Sequence, residues 1–429
     1  MAKHLQWVPV AELKAFLKEY KAPVLGNLAI CIFMGILSAE FSLRRQIPAL
    51  NDYAVYYYAS KMFFNPAETL NIYNYDYMRV TYGTVQFRYL PSFLVLFYPL
   101  TLVDMPTSSY VFTAIGFCLN VLSAFYVTRI LFGHLEQPKT RDGQRFMVLI
   151  LLGLFQAWNY GLGQVMAPVL FTGITSLYYF MEGKNATGWF LLGFSIVVKP
   201  VLVFVVIFAF LATKTFRGKI KAVLSILPPF ILDCIIFMAI PQLLLAIITR
   251  NVTDFEIWRV YASTSLSSLL YMSFGLNPSW AFLITSIAMI FVGWIVLRSM
   301  QDQNRDKRIS FSFVYGMLCF MVAQVQVWSH NLVVLVPLLL VATAYTPERA
   351  GQRLWKVCML YQVSILVYFE QKVPVLALFE PLVQAINVGI LLFITGTVLW
   401  QFYEKRGVAS DRVPGNAESP SPRMIDREA

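Results

Sequence analysis

The sequence predicts an all-α membrane protein, a polytopic bundle of helical spans. Three observations predict it. Of the 429 residues, 58% are hydrophobic and only 13% charged, where a soluble domain carries roughly 45–50% apolar and 25% charged residues. Runs free of Asp, Glu, Lys and Arg recur along the chain, among them 22–39, 107–128, 146–181, 309–347 and 381–403. The basic residues gather in short clusters between such runs.

Taken in order, the spans fall at 23–43, 89–105, 107–131, 146–161, 163–181, 187–212, 222–248, 280–298, 309–328, 330–346, 353–370 and 381–403. That is about 12 spans, within a range of about 11–13, because a crossing helix needs ~20 apolar residues. Lipid offers backbone groups no water, so each segment must satisfy its own, and the runs lack the alternation of a membrane barrel. The two longest runs, 146–181 and 309–347, each read as two spans with a tight hinge. A different division splits 187–212 at Lys199-Pro200 and requires another reading of 89–131, since proline interrupts a helix.

Charge sets the expected orientation. The net charge is +11, yet it points to topology rather than to nucleic acid. Lys3, Lys14, Lys18 and Lys21 precede the first span, and Lys405 with Arg406 follows the last. Lys214, Arg217, Lys219 and Lys221 form one internal cluster, and Arg298, Arg305, Lys307 and Arg308 another. All four groups fit the cytoplasmic side under the positive-inside rule. This count leaves 132–145 on the outer side, despite Lys139, Arg141 and Arg145. Residues 1–22 read as a cytoplasmic amphipathic segment, 23–403 as the membrane domain, and 404–429 as a disordered cytoplasmic tail rich in Pro, Ser and charge. The N-terminus lacks the small-residue cleavage site of a signal peptide. The five cysteines lie in apolar stretches without ligand spacing and read as packing residues.

Two segments, 44–88 and 249–279, are too long and polar to be plain connectors, and both fall on the outer face. Long loops on a rigid scaffold tend to carry function. In the first, Val55, Tyr56, Ala59, Met62 and Phe63 recur at helical spacing. The spacing predicts an interfacial helix over 52–64, with its tyrosines at headgroup depth.

Few residues in this chain can do chemistry. Asp52 stands just beyond the first span, in a run of tyrosines. A partly desolvated carboxylate there can serve as a general base; the bland reading is a helix cap. Lys199 sits within an apolar stretch, at a cost of ~2.5–3.5 kcal/mol on insertion scales. It can hold a phosphate as a point charge; its structural alternatives are snorkelling or a pair with Asp233. His330 marks the hinge of a long apolar run and can hydrogen-bond a phosphate or act as a turn residue. Arg88 can contact a phosphate or anchor at the headgroups. Gln164 can bind substrate or pack helices. Arg250, Asp254, Glu256, Arg259 and Tyr261 can line an acceptor groove or simply be solvated. No P-loop, paired carboxylates or histidine-rich cluster suggests a nucleotide, cofactor or metal.

Five stretches, in order, carry a resemblance. Asp52 and its Tyr-Tyr-Ala-like helix follow the first span. Phe87-Arg88-Tyr89-Leu90-Pro91 is followed by Tyr98-Pro99-Leu100. Then come Gly163-Gln164-Val165, Val198-Lys199-Pro200 and Ser329-His330-Asn331. Together they resemble glycosyltransferase family 87, the polyprenol-phosphate-mannose-dependent mannosyltransferases of the GT-C superfamily, over about residues 24–346. The chain departs from the family pattern where Leu90 parts Tyr89 from Pro91, where Met166 follows Val165, and where Pro200 follows Lys199 directly. The resemblance implies a GT-C-like fold and inverting transfer of a hexose, mannose in that family, from a polyprenyl-phosphate donor on the outer face of the plasma (inner) membrane. It implies Asp52 as catalytic base, with Lys199, His330, Arg88, Gln164 and Tyr56 binding donor phosphate or substrate. The partners it implies are the lipid-linked donor, a glycolipid, glycan or protein acceptor, and membrane lipids, without metal or nucleic acid. The rival readings are a transporter or flippase of lipid-linked sugars, which would favour internal repeats not evident here, and a non-catalytic relative.

Overall fold

The computed structural model describes residues 9–44, 52–135, 141–252, 263, 265–325, 327, 329–345, 348–369 and 380–403. Among the described residues there are helices and short connections and no strand. The chain runs through α1 (Val10–Glu19), α2 (Lys21–Arg44), α3 (Asp52–Phe63), α4 (Tyr75–Tyr82), α5 (Pro91–Phe97), α6 (Met105–Thr128), α7 (Arg141–Leu152), α8 (Leu154–Gly161), α9 (Met166–Met181) and α10 (Asn185–Val198). It continues through α11 (Val203–Ala212), α12 (Phe216–Ile226), α13 (Ile231–Ala239), α14 (Pro241–Val252), α15 (Leu266–Phe274), α16 (Pro278–Ser299), α17 (Arg305–Ala323), α18 (Leu332–Thr343), α19 (Glu348–Phe369) and α20 (Glu380–Tyr403).

Among the described residues four helical stretches are long and apolar enough to cross a membrane: Met105–His134, Phe216–Ala239, Pro278–Ser299 and Leu382–Tyr403. The bent pair Val10–Glu19 and Lys21–Leu37, turned through 85°, adds a fifth if counted as one span. Six further apolar helices among the described residues run for only 10–17 residues. The apolar runs are therefore broken where sequence periodicity alone would carry them through. Gly153 parts α7 from α8, and Pro200 parts α10 from α11. Pro228 and Pro229 tighten the stretch from α12 to α13 into a 3-10 turn without ending it. A proline removes one ladder donor and clashes with the preceding turn.

Polar contacts gather these helices at two ends. At one end Arg129 Nε lies 3.2 Å from Glu12, and His134 Nε2 lies 3.0 Å from Glu182. Arg305 donates to the Phe180 carbonyl at 2.7 Å, Arg308 to the Ala212 carbonyl at 2.6 Å, and Lys214 to the Gln301 carbonyl at 2.5 Å. Both internal basic clusters thus share this end with α1. At the opposite end the Tyr57 hydroxyl donates to the Val103 carbonyl at 2.8 Å, and Tyr53 N–H to the Leu162 carbonyl at 3.3 Å.

Three expectations change as a result. Residues 89–105 do not run from one end to the other. α5 and the turn Tyr98–Leu102 stay beside α3, held by Ser60 Oγ donating to the Leu94 carbonyl at 2.8 Å. Pro91 opens this helix at its first position and Pro99 tightens its end into a 3-10 turn, so it stays short. Residues 187–212 are not one straight segment either. Asn185 accepts from Arg305 and the Ala212 carbonyl from Arg308, so both outer ends of the α10–α11 pair lie at the basic end. The chain doubles back at Lys199-Pro200, as the alternative division has it. Finally, Arg129 and His134 lie at the basic end, so 132–145 begins there rather than on the outer side.

The middle of the bundle is apolar. Within α18 Leu332 to Ala342 are all buried, and α17 is buried from Arg308 to Ala323. A helix apolar on every side belongs in the interior. α16 instead exposes Leu283, Ile284, Ile287, Phe291 and Ile295, the side that acyl chains would cover. Small residues admit close backbone approach between such helices. A Cβ added at Gly316 of α17 would lie 2.6 Å from the backbone N and Cα of Val205 in α11. Gly389 on α20 has nothing within 4 Å of that position. Gly316→Val is expected to lower the unfolding temperature in detergent, at a cost of ~1–3 kcal/mol from overpacking. Gly389→Ala should leave it level or raise it, and a thermal melt of the two variants compares them directly.

Candidate functional site

Proline chemistry begins the site. The residue before a proline is pushed out of the α region, and Lys199 has φ −163° and ψ 128° at the end of α10. Its N–H still closes the last turn, on the Ser195 carbonyl at 2.9 Å. The helix stops there, and the Lys199 ammonium finds its partners on other elements. Nζ donates to Gln164 Oε1 at 2.9 Å and lies 3.3 Å from His330 Nε2. A charged lysine only donates, so Nε2 is the accepting nitrogen and the ring proton sits on Nδ1. Nζ also lies over the Tyr89 ring, 5.6 Å from its centroid, within cation–π reach.

The other two partners come from interruptions of their own. Gln164 belongs to the turn between α8 and α9, where its N–H bonds the Asn159 carbonyl at 2.9 Å. Gly163 before it has φ 62°, a conformation L side chains rarely adopt. A Cβ there would sit 2.4 Å from Tyr53 Cβ. The same turn receives the Tyr53 N–H through Leu162, so the first turn of α3, with Asp52 at its head, is docked on the turn that carries Gln164. His330 lies in the short helix Ser329–Asn331, between α17 and α18.

Aromatic packing joins α3 to the lysine. Tyr56 is fully buried, with its ring 5.8 Å from Tyr89, 5.3 Å from Phe93 and 5.9 Å from Phe97. Burial, then Tyr89 and the Asp52 carboxylate, hold the Tyr56 phenol well above its usual range. That phenol therefore stays protonated. Tyr89 is held by its neighbours, with its carbonyl accepting from the Tyr73 hydroxyl at 2.9 Å. Arg88, half-buried, directly precedes it in the chain.

The structure thus joins Lys199, Gln164 and His330 by direct contact. It ties Tyr56 to them through Tyr89, and Asp52 through the seating of α3. Tyr89 was not singled out in the sequence, although it stands within one of the recognised stretches. Asp233, offered as a partner of Lys199, is engaged elsewhere: it accepts from Ser92 N–H at 2.8 Å and Ser92 Oγ at 2.6 Å. Pro91 opens α5, and Asp233 caps the first turn from a neighbouring helix, where a helix presents unbonded donors. Of the second outer loop, Asp254, Glu256, Arg259 and Tyr261 lie outside the described residues, as does the Arg250 side chain.

Among the described residues no carboxylate pairs with Lys199. Its two acceptors are neutral, so its charge remains available, and they use two of the three N–H groups an ammonium carries. Such an arrangement suits an anion. Gly163→Ala should both strain the turn and force Tyr53 aside. We expect a loss of ~1–3 kcal/mol, visible as a lower melting temperature, with faster proteolysis within 52–63 as α3 loosens.

Comparison with known proteins gives one result. Residues 87–324, more than half of the chain, match the sequence model of glycosyltransferase family 87. No curated protein and no solved structure matches. The matched stretch contains Arg88, Gln164 and Lys199, while Asp52, Tyr56 and His330 lie outside it.

Proposed function

The chain belongs to glycosyltransferase family 87, and we propose that it moves a hexose, mannose, from a polyprenyl-phosphate donor to an acceptor hydroxyl. A family of glycosyltransferases requires a sugar donor and an acceptor. The observation that carries the choice of donor is the Lys199 ammonium, half-buried where three helix breaks meet, whose hydrogen-bond partners among the described residues are the neutral Gln164 and His330. A phosphate attached to the sugar supplies the missing negative charge, and the apolar helices suit its lipid tail.

The reaction proceeds as a single displacement. The Asp52 carboxylate takes the proton from the acceptor hydroxyl. The oxygen then forms a bond to the anomeric carbon as the bond from that carbon to the phosphate oxygen breaks. The electron pair leaves with the lipid phosphate, whose charge grows from one negative unit toward two. Lys199, and Arg88 beside Tyr89, stabilise that growing charge, a contribution larger in the transition state than in the bound donor. Attack opposite the leaving group inverts the anomeric centre. One positioned base suffices, unlike the carboxylate pair of most glycoside hydrolases.

The contacts at the basic end support the orientation. Both internal basic clusters lie opposite the Lys199 turn, so under the positive-inside rule the site faces away from the cytoplasm. We assign about a dozen crossings in a GT-C-like arrangement within the plasma membrane, several of them formed by the shorter helices packed inside the bundle. α3 then lies at the outer interface.

Transfer of radiolabelled sugar from polyprenyl-phosphate-mannose into lipid and polymer fractions tests this reading in purified protein. Asp52→Asn should lower turnover by roughly 10²–10⁴-fold while donor binding persists. Lys199→Met should lower turnover by roughly 10²–10³-fold, since it removes charge needed most at departure of the phosphate. Unchanged transfer by Asp52→Asn would remove that residue as the base. A wild-type protein inert toward mannose, glucose and arabinose donors would rule out this donor class and leave the family standing.

A further inference from the structure

Two buried carboxamides flank the lysine cluster and take no part in the steps above. Asn159 lies on α8, and Asn331 closes the short turn that carries His330. Each is 2% exposed, and the Oδ1 of each accepts no hydrogen bond from the described residues. Some buried amides are used, as where Asn27 accepts from the Tyr160 hydroxyl at 2.9 Å and Gln156 accepts from Asn120 at 3.0 Å. Others, Asn120 Oδ1, Gln86 Oε1 and Gln384 Oε1 among them, also lack a donor among the described residues. What sets Asn159 and Asn331 apart is their place beside the two acceptors of Lys199. A buried acceptor without a donor is rare in a native fold and calls for a partner.

Their placement indicates which partner. The Asn159 carbonyl receives the Gln164 N–H, so Asn159 lies one turn before the lysine's first acceptor. The turn Ser329–Asn331, carrying the second, packs directly against α8. The two elements that hold Lys199 therefore also hold the two idle amide oxygens. An amide oxygen needs a donor. A phosphodiester at neutral pH has no proton to give, and a polyprenyl chain has none. The part of a lipid-linked sugar with matching chemistry is the sugar, whose hydroxyls donate, and whose anomeric carbon is bonded to the phosphate placed at Lys199.

We propose that Asn159 and Asn331 each accept a hydrogen bond from a ring hydroxyl of the transferred hexose, and so determine which sugar the protein takes. The inference rests on the polyprenyl-phosphate-sugar reading above. It makes the two residues specificity determinants rather than catalysts. A site built to bond a hydroxyl rejects an analogue that lacks it, because its own polar group is then left unpaired.

The test uses the full-length protein in detergent, with polyprenyl-phosphate-mannose and its 2-, 3-, 4- and 6-deoxy analogues as donors and one fixed acceptor. Wild type should lose tenfold or more in kcat/KM on at least one deoxy donor. Asn159→Leu and Asn331→Leu should each lose a similar factor on mannose, yet lose nothing further on the deoxy donor whose missing hydroxyl that residue bonded. Asn159→Ala and Asn331→Ala are read in the same way should the leucine variants misfold. Equal slowing of mannose and of every deoxy donor would make the carboxamides structural and overturn the proposal. So would a wild type indifferent to all four deoxy donors, or a pattern that appears only with deoxy acceptors. A wild type that transfers nothing from any of these donors would overturn the donor assignment itself, an outcome distinct from the others.

Discussion

A lysine ammonium inside an apolar bundle needs acceptors, and the arrangement of this fold around Lys199 follows from that need. Lys199 is half-buried, and taking even part of a charge out of water is costly unless acceptors replace the water. Here the partners come from distant parts of the chain: Gln164 from the turn after α8, His330 from the break between α17 and α18, and the Tyr89 face from the approach to α5. Each is delivered by an interruption in a helix or by the stretch before one. Had the apolar runs continued as straight helices, none of these groups would reach the ammonium.

The interruptions share one end of the molecule. The α8–α9 turn, the Lys199-Pro200 reversal and the Ser329–Asn331 turn meet there, while the arginine and lysine clusters bond carbonyls at the other. Non-helical backbone within a membrane protein is tolerated where protein buries it or where it lines a cavity. Here it is paired within the fold: Lys199 N–H with Ser195, Gln164 N–H with Asn159, Tyr53 N–H with Leu162. The backbone is satisfied, and the side chains are left to do other things.

The identity of the acceptors matters as much as their number. Asp233 would have neutralised Lys199, and it is occupied instead with the first turn of α5. A glutamine and a neutral imidazole steady the ammonium without cancelling its charge. The aromatic packing of Tyr56, Tyr89, Phe93 and Phe97 then links that charge to α3, whose first residue is the carboxylate assigned as base. A cation free to meet an anion and a carboxylate on a neighbouring, separately seated helix are the two groups that the proposed displacement calls on.

Much of this was legible in the sequence. Composition and charge-free runs determine an all-helical, membrane-type chain. The spacing of Val55, Tyr56, Ala59 and Met62 determines the helix at 52–64, and Gly163 and Pro200 mark the turns at which they stand. The scarcity of charge also makes Asp52, Lys199 and His330 visible as candidates. What sequence could not decide is which interruptions reverse the chain and which merely bend it. Residues 89–105 and 187–212 have similar apolar character, yet one folds back beside α3 and the other doubles back at Lys199. Hydropathy reports the environment of a segment, whereas direction and partnership depend on contacts between residues far apart in the chain. For that reason the tertiary structure alone assigned Lys199 to Gln164 and His330 rather than to Asp233, and left two buried amide oxygens beside them waiting for a donor.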